Sequence, residues 1–322
     1  MLLDYAEAQG VVVDHIPETC GFYVGFSLAG AENARANALA AAQIGFDAIA
    51  SFADAEWEDK LSCALATLAD DLDKKRELQT LLTLSKRWRE VYNESTGLLR
   101  ADSAYYEGTL YHYSFRLLSD MPGRIALAGG NARFVEMLDA FFGYGAPAVS
   151  QPVAPADKAY MAYGHVLHRF EGYNNEPDRE TPYAYLYAGR HDRTCEVVRF
   201  GMRSMFHSGR GGLPGNDDSG GLSSCFVWNT LGLFPVSGQA LVLLGSPSID
   251  AADLLLHNGR TLSVRVHGQS EENIYVKKII RNGKLLDRAW LSTDEFMSGG
   301  TLEFYMTADA ACDRFPPVKI NA

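Results

Sequence analysis

Two spacings of apolar residues divide the chain into a helical part and a strand-rich part. In the first part, apolar residues recur three or four positions apart, as at Leu65, Leu68 and Leu72, which is typical of amphipathic helices. The proline-free, alanine-rich stretch 34–53 and the stretch 193–208 also favour helices. The pattern therefore predicts helices over roughly the first two-thirds of the chain.

Another predicted helix has marked ends. Asn131 follows the pair Gly129-Gly130, an order typical of one helix ending and the next beginning. The apolar residues that would share one face of this helix are Phe134, Leu138 and Phe141. Farther along, the stretch 146–157 contains three prolines and no periodicity, so it predicts a loop.

After Gly238 the apolar runs become short and are separated by turn signals. Such runs are typical of β-strands joined by tight turns. The runs are Leu241–Leu244, Leu254–Leu256, Leu262–Val266, Ile274–Ile280 and Leu302–Met306, and the turn signals are Asn258-Gly259, Asn282-Gly283 and Gly299-Gly300. We therefore expect a mainly α protein with a small β domain, divided into a helical domain over 1–237 and a β domain over 238–322.

Composition narrows the class of protein. The 322 residues carry a net charge of −11, which disfavours binding to nucleic acid because phosphates would be repelled. No apolar run is long enough to span a membrane. The five cysteines are widely spaced, and the first residues lack the basic region of a signal peptide. These features favour reduced thiols and a cytoplasmic location, with secretion left open if the chain is a fragment.

The stretch 211–238 contains the densest candidate chemistry. Asp217 and Asp218 lie in a glycine-rich loop just before an apolar segment, 222–234, that predicts a buried helix closed by Gly232 and Pro235. A carboxylate at a helix N-terminus is favoured in its ionised form, which suits a general base or a cation ligand. The equally supported alternative is that one of the two aspartates is simply the N-cap.

Two further loops are rich in polar groups. Glu107 lies among four tyrosines, and a partly dry aromatic setting would raise the pKa of its carboxyl group, as a proton donor requires. A surface glutamate beside a tyrosine-rich core is the alternative. The stretch 172–180 offers amide and carboxylate oxygens of the kind that Ca²⁺ prefers, or it is an ordinary polar loop before a helix.

The three loops together resemble one family. Glu107-Gly108, then Asn175-Glu176-Pro177-Asp178, then the segment 213–220 occur in the order seen in the calcium-dependent exo-α-mannosidases of glycoside hydrolase family 92. The connecting segments 95–100 and 127–142 and the later Gly245-Ser246-Pro247 are also similar. The resemblance covers roughly residues 60–310.

The resemblance implies an (α/α)6 barrel, followed by a β-sandwich-like segment, that hydrolyses terminal α-mannosides with inversion. It implies that Glu107 is the general acid and Asp218 the general base, and that Asn216 is a further catalytic residue at a position where many members carry a second acidic residue. It also implies Ca²⁺ as the cofactor, held by Glu176, Asp218 and Asn175. The residues expected to contact the terminal mannose of a glycan are Tyr106, His112, Asp120, Asp178 and Arg179.

The chain departs from the family in two respects. A histidine pair that follows the Asn-Glu-Pro motif in the family is replaced by Arg179 and Glu180. Arg179 could meet an anionic group such as phosphate, or pair on the surface with Asp178 or Glu180. Family members also carry an N-terminal β-sandwich and more barrel helices. The alternative expectation is therefore an incomplete remnant, or a subunit completed by a chain that supplies the missing domain.

Overall fold

A computed structural model describes residues 75–101, 110–144, 173, 176–215, 217–312 and 315–319. The chain divides into two compact units, Met1–Glu58 and Asp59–Ala322, and every described residue lies in the second. The helix predicted over 34–53 and the loop predicted over 146–157 therefore lie outside the described residues.

The described residues form nine α-helices, with short 3₁₀ turns at Arg87–Val91, Thr181–Tyr183 and Asp218–Gly220. The helices are α1 Lys75–Leu84, α2 Leu110–Ser114, α3 Met121–Leu127, α4 Asn131–Phe142, α5 Glu176–Glu180, α6 Ala184–Tyr187, α7 His191–Ser204, α8 Gly221–Leu231 and α9 Thr293–Met297.

Ten strands complete the described structure. They are β1 Tyr92–Asn93, β2 Leu98–Leu99, β3 Leu233–Pro235, β4 Leu241–Leu244, β5 Ala251–Leu255, β6 Thr261–His267, β7 Tyr275–Arg281, β8 Lys284–Leu286, β9 Trp290–Ser292 and β10 Gly300–Thr307. The first two form only a small hairpin, and the other eight follow Gly232, so the change from helices to strands lies close to where the apolar pattern changes.

The helix predicted after Gly129-Gly130 is confirmed as α4. Phe134, Leu138 and Phe141 are buried on one face, as the spacing of four and three residues requires. Helix α7 is confirmed in the same way, with Val198 and Met202 buried. Local periodicity therefore identified both the existence and the inward face of these helices.

The prediction that Gly232 closes the helix is confirmed, but the prediction of a buried helix as far as residue 234 is wrong. Helix α8 ends at Leu231 because Gly232 adopts a left-handed conformation with φ 73°, and β3 starts directly after it. Only part of the helix surface is covered, since Phe226 is 38% exposed and Val227 54%. The sequence is apolar around most of the helix, so it gave no indication of which side packs against α7 and β3.

The strands form two larger sheets. One has the order β3-β4-β9 and is antiparallel, and the other has the order β5-β6-β10-β7-β8. Within the second sheet β6 and β10 pair in parallel, whereas its other pairs are antiparallel. Turn signals in the sequence identify adjacent strands only, so this long-range parallel pair was not predicted. A sandwich of these sheets, the (α/α)6 barrel and the domain boundary at residue 238 stay predictions.

The turn between β7 and β8 confirms its sequence signal. Asn282 and Gly283 have φ angles of 49° and 76°, which is the positive-φ pair that a tight two-residue hairpin needs. The Asn282 side chain also accepts a hydrogen bond from the backbone N–H of Thr301, at 2.7 Å. The turn therefore joins β8 to the sheet and also fixes the start of β10.

A buried arginine holds the short helix α2 in place. The guanidinium of Arg124 donates from Nε and Nη2 to the carbonyl oxygen of Ser114, at 3.2 and 3.0 Å. It lies over the rings of Tyr92 and Phe134, 4.5 and 5.3 Å from their centroids, and such contacts stabilise a buried cation. The Ser114 hydroxyl accepts from the N–H of Leu99, at 2.9 Å. Helix α2, which follows the Glu107 segment, is therefore fixed at its C-terminal end.

Helix α7 joins the helices to the sheets through polar contacts. Arg199 donates to the carbonyl oxygens of Pro247 and Ser270, both at 2.6 Å. Glu196 accepts from the Tyr275 hydroxyl on β7, at 2.9 Å. Near the start of the helix, His191 Nε2 lies 2.9 Å from the carbonyl oxygen of Leu244 on β4. These contacts fix α7 against three separate segments of the strand-rich part.

The burial of His191 predicts a pH-dependent stability. Burial lowers the pKa of His191 to about 4, whereas an unfolded histidine titrates near 6.5. Between these values the unfolded chain binds more protons, so stability from this group is present above pH 6.5 and is lost as the pH falls towards 4. We expect this one group to account for about 3 kcal/mol of unfolding free energy across that window.

Urea unfolding of the wild type and of His191→Gln between pH 7 and pH 4 measures the effect. The glutamine amide preserves a donor towards Leu244 but does not titrate, and other groups contribute to both proteins equally. The difference in unfolding free energy between the two proteins should therefore change with pH. A constant difference would contradict the assignment.

Candidate functional site

The aspartate pair in the glycine-rich loop is divided between two roles. Asp217 Oδ1 accepts from the backbone N–H groups of Leu222 and Ser223, at 2.7 and 2.9 Å, and its Oδ2 accepts from the Ser223 hydroxyl, at 2.6 Å. These contacts satisfy donors that the first turn of a helix leaves unpaired. Asp217 therefore caps the first turn of α8, although the N-cap position itself is occupied by Gly220 and not by an aspartate as the alternative expected.

Electrostatics agree with the capping geometry. Hydrogen bonds from the side chain and backbone of Ser223, with smaller contributions from the Leu222 N–H and the charge of Arg179, hold the pKa of Asp217 below its ordinary value. The expected ionised carboxylate at a helix N-terminus is thus present at Asp217.

Asp218 is the aspartate that stays accessible. It starts the 3₁₀ turn Asp218–Gly220 and is exposed, and its carboxylate makes no hydrogen bond to any residue in the described part of the chain. The next residue, Ser219, has a φ of 53°, a conformation that side chains with a Cβ rarely adopt. The backbone thus reverses directly after Asp218, which leaves its carboxylate on the outside of the loop.

The short helix α5 carries the second predicted motif, and its side chains lie in three different environments. Asp178 is buried, and its Oδ2 lies 3.8 Å from His112 Nε2 on α2. Glu180 is also buried and accepts from Arg116 Nε and from the backbone N–H of Leu117, at 3.1 and 2.9 Å. Both carboxylates therefore fix α5 to α2 and the residues that follow it. In contrast, Glu176 is 53% exposed.

Arg179 joins α5 to the aspartate loop. Its Nη2 donates to Glu176 Oε1, at 3.1 Å, and its guanidinium lies so close to Gly221 that any Cβ there would overlap it. The expected surface pairing with Asp178 or Glu180 is wrong. Residues next to one another on a helix point in different directions, whereas residues three apart lie side by side, and Arg179 is only 14% exposed.

Asp120, a predicted sugar contact, has two protein partners. Its Oδ1 accepts from the backbone N–H of Gly123 as the N-cap of α3, and its Oδ2 accepts from Arg89 Nη2, at 2.9 and 2.7 Å. These bonds explain the residue structurally, and contact with a sugar stays a prediction. His112 is buried on α2, with its ring edge-on to Phe141.

The structure thus brings Arg179, which pairs with Glu176, against the start of α8 next to the aspartate loop, and it places Asp178 beside His112 on α2. The remaining candidates lie outside the described residues: Tyr106, Glu107, Asn175 and Asn216. Sequence reasoning missed two positioning residues. Gly221 could have been noticed as a second glycine after Gly220, whereas Arg116 carried no sequence signal.

The described candidates suit Ca²⁺ in their chemistry. Glu176 and Asp218 offer exposed carboxylate oxygens, the hard ligands that Ca²⁺ prefers. The part of the chain that the structure describes contains no group of three or more histidine, cysteine, aspartate or glutamate residues that could hold a metal by themselves. Its cysteines Cys195, Cys225 and Cys312 are free thiols. The described residues therefore match Ca²⁺ in the type of oxygen ligand that they offer, and a complete Ca²⁺ site would need further ligands.

Comparison with known proteins places the chain in a class of carbohydrate-active enzymes. The sequence model of the glycosyl hydrolase family 92 catalytic domain matches residues 61–308. The chain belongs to this family, and the match lies on the catalytic domain. This confirms the resemblance seen in the sequence motifs.

Individual relatives of the chain support this family assignment. An uncharacterized secreted glycosidase of Arthroderma benhamiae is 31% identical over 201 residues, which is 62% of this chain and 23% of that protein. A family GH92 α-mannosidase of Bacteroides thetaiotaomicron has a TM-score of 0.63 at 24% identity, covering 76% of this chain and 32% of its own. A structure of it with mannoimidazole gives 0.64 at 22% identity, covering 76% of this chain and 34% of the other. The chain thus spans about a quarter to a third of the length of these relatives.

The comparisons do not support the expected cytoplasmic location, because the fungal relative is described as secreted. Among the described residues, no helix is both long and apolar enough to cross a membrane.

The two aspartates should differ in their effect on stability. Asp217→Ala removes the cap of α8 and leaves its first N–H groups unpaired, so we expect the melting temperature to fall by a few degrees. Asp218→Ala, the matched control, should leave it almost unchanged because the carboxylate is exposed. Thermal unfolding followed by circular dichroism measures both, and equal shifts would contradict the division of roles.

Proposed function

We propose that this chain carries the catalytic residues of a calcium-dependent, inverting exo-α-mannosidase that removes terminal α-mannose from glycans. Family membership supports hydrolysis of O-glycosyl bonds, and the solved neighbours described as α-mannosidases support the sugar. The observation that carries the proposal is the position of α5. Its contacts reach α2, which follows Glu107, on one side and the Asp218 loop on the other.

The proposed acid and base are Glu107 and Asp218. Glu107 precedes α2, whose end is fixed by the buried Arg124, and it would protonate the departing oxygen. Asp218 would take a proton from water, and its exposure on the loop supports this role, since Asp217 alone caps α8. Inversion needs the two carboxyl groups about 6.5–9.5 Å apart, with room for that water. Asn216 would lie beside the base.

Glu176, Asp218 and Asn175 are the proposed Ca²⁺ ligands, with loop carbonyls and waters completing the shell. When bound, the ion would orient the vicinal hydroxyls of mannose and favour distortion of the ring. Tyr106, His112, Asp120, Asp178 and Arg179 are the proposed contacts to the terminal sugar. For the buried residues Asp178 and His112, the support is that they fix the wall formed by α2 and α5.

Replacement of the acid should depend on the leaving group. Glu107→Gln should reduce kcat/KM by about 10²–10⁴-fold on mannobiose, whose leaving group needs a proton. It should have far less effect on dinitrophenyl α-mannoside, whose leaving group departs unaided. Steady-state kinetics on both substrates measure this. A similar loss on both would contradict Glu107 as the acid.

Asp218→Asn should reduce the rate of hydrolysis of both substrates to the same extent, because the attacking water must be activated whichever leaving group departs. Glu136→Gln is the matched control, since the partner of this exposed carboxylate among the described residues is the exposed Arg133. Hydrolysis by the 322-residue chain without any other protein would also contradict the alternative of a subunit that needs a partner chain. Absence of hydrolysis in the wild type would contradict the proposed function of this chain.

Removal of Ca²⁺ should abolish activity and leave the fold almost intact. Few protein ligands are available, so the ion should bind weakly until sugar hydroxyls complete its shell. We expect chelation to stop hydrolysis, added Ca²⁺ to restore it, and the melting temperature to change by little. Activity after exhaustive chelation, or a large fall in melting temperature, would contradict a site completed by substrate.

A further inference from the structure

Arg179 makes contacts within the protein that binding of the terminal sugar does not require. It contacts both Glu176, through an ion pair at 3.1 Å, and the start of α8, through Gly221. It is mostly buried, and its Nε has no hydrogen-bond partner among the described residues. Surface ion pairs rarely bury the arginine to this extent, so the contact with Gly221 is part of how the side chain is held.

The absence of a side chain at Gly221 creates the space for the guanidinium. Gly221 has φ −66° and ψ −39°, ordinary helical values, so its backbone does not require glycine. A Cβ on this residue would overlap Arg179 Nη1. Glycine at the first position of α8 is therefore explained by the close approach of the arginine and not by backbone conformation.

The charge of Arg179 is permanent. A guanidinium stays protonated in proteins, so Glu176 has a fixed positive partner as long as the side chain keeps this position. A divalent cation bound to Glu176 would have to share the carboxylate with that charge or displace it. Two positive charges a few ångströms apart repel one another strongly enough to change affinity by a factor of ten or more.

We propose that Arg179 is a positioning residue that acts as a built-in cation, linking Glu176 to the start of α8 and competing with a divalent cation for the Glu176 carboxylate. The competition rests on the proposed function, because it concerns the proposed Ca²⁺ ligand Glu176. Arg179 thus determines how tightly this site binds a divalent ion. Gly221, which has no side chain, provides the space that the guanidinium occupies.

The first test is a double-mutant cycle of melting temperatures in the full chain. Gly221→Ala should lower the melting temperature of the wild type, because the new methyl group displaces Arg179. In an Arg179→Gln background the same substitution should be neutral or stabilising, since alanine is the better helix former. If the melting-temperature shifts of the two substitutions are additive, the conclusion that Gly221 provides the space for the Arg179 side chain is overturned.

The second test measures Ca²⁺ binding by calorimetry without any substrate. Arg179→Gln should bind Ca²⁺ about tenfold or more tightly than the wild type, and Arg179→Lys, which keeps the charge, should stay close to the wild type. Gly221→Ala should also tighten binding. Adding Glu176→Gln to Arg179→Gln should remove the increase in Ca²⁺ affinity. Arg203→Gln is the matched control, because Arg203 is an exposed arginine on α7 that pairs with the exposed Glu271.

The outcomes separate this inference from the proposed function. Ca²⁺ binding that is equal in the wild type and in Arg179→Gln would overturn the competition and leave the proposed Ca²⁺ site standing. An absence of binding in every variant would overturn the Ca²⁺ site together with the competition, and the positioning role would then be decided by the melting cycle. A purely structural arginine would weaken binding when replaced, so tighter binding supports the proposal.

Discussion

The burial of two carboxylates on one short helix is the constraint on which the arrangement of the candidate site depends. A charged group taken out of water destabilises the fold unless it is paired or hydrogen-bonded. Glu180 finds such partners just after α2, at Arg116 and the N–H of Leu117, and Asp178 lies 3.8 Å from the ring of His112 on α2. Helix α5 has only five residues and no stability of its own, so these contacts fix where it lies.

The position of α5 then determines what the remaining residues of the motif can do. With Asp178 and Glu180 turned towards α2, Arg179 is directed to the start of α8, and Glu176 lies beside it on the exposed side. Helix α8 is in turn capped by Asp217, which leaves Asp218 free to face solvent. One element thus links the segment after Glu107 to the start of α8, so described parts of three distant stretches of sequence lie next to one another.

A second set of contacts holds this region against the sheets. Helix α7 is bonded to the strand-rich part at its start by His191, in its middle by Glu196 and Arg199. Because His191 is buried and neutral, acid weakens this attachment, whereas the guanidinium of Arg199 is insensitive to pH in the same range. Polar contacts outside the candidate residues therefore hold α7 against the strand-rich part.

The sequence by itself determined the local features of this protein. The periodicity of α4 and α7, the Asn282-Gly283 turn and the strand runs after Gly238 follow from rules that act over a few residues. The order of three polar motifs was also sufficient to identify the family, which the match over residues 61–308 confirms. Such motifs can be recognised in a sequence because the chemistry of each depends on a few neighbouring residues.

Only the tertiary structure decided which residues meet. The parallel pairing of β6 with β10, the exposed side of α8, and the choice of Glu176 as the partner of Arg179 all depend on contacts between distant segments. The division of roles between Asp217 and Asp218 depends on one backbone reversal at Ser219. Adjacent residues of the same type are equivalent in a sequence, and they become different only when the folded backbone directs one towards a helix end and the other towards water.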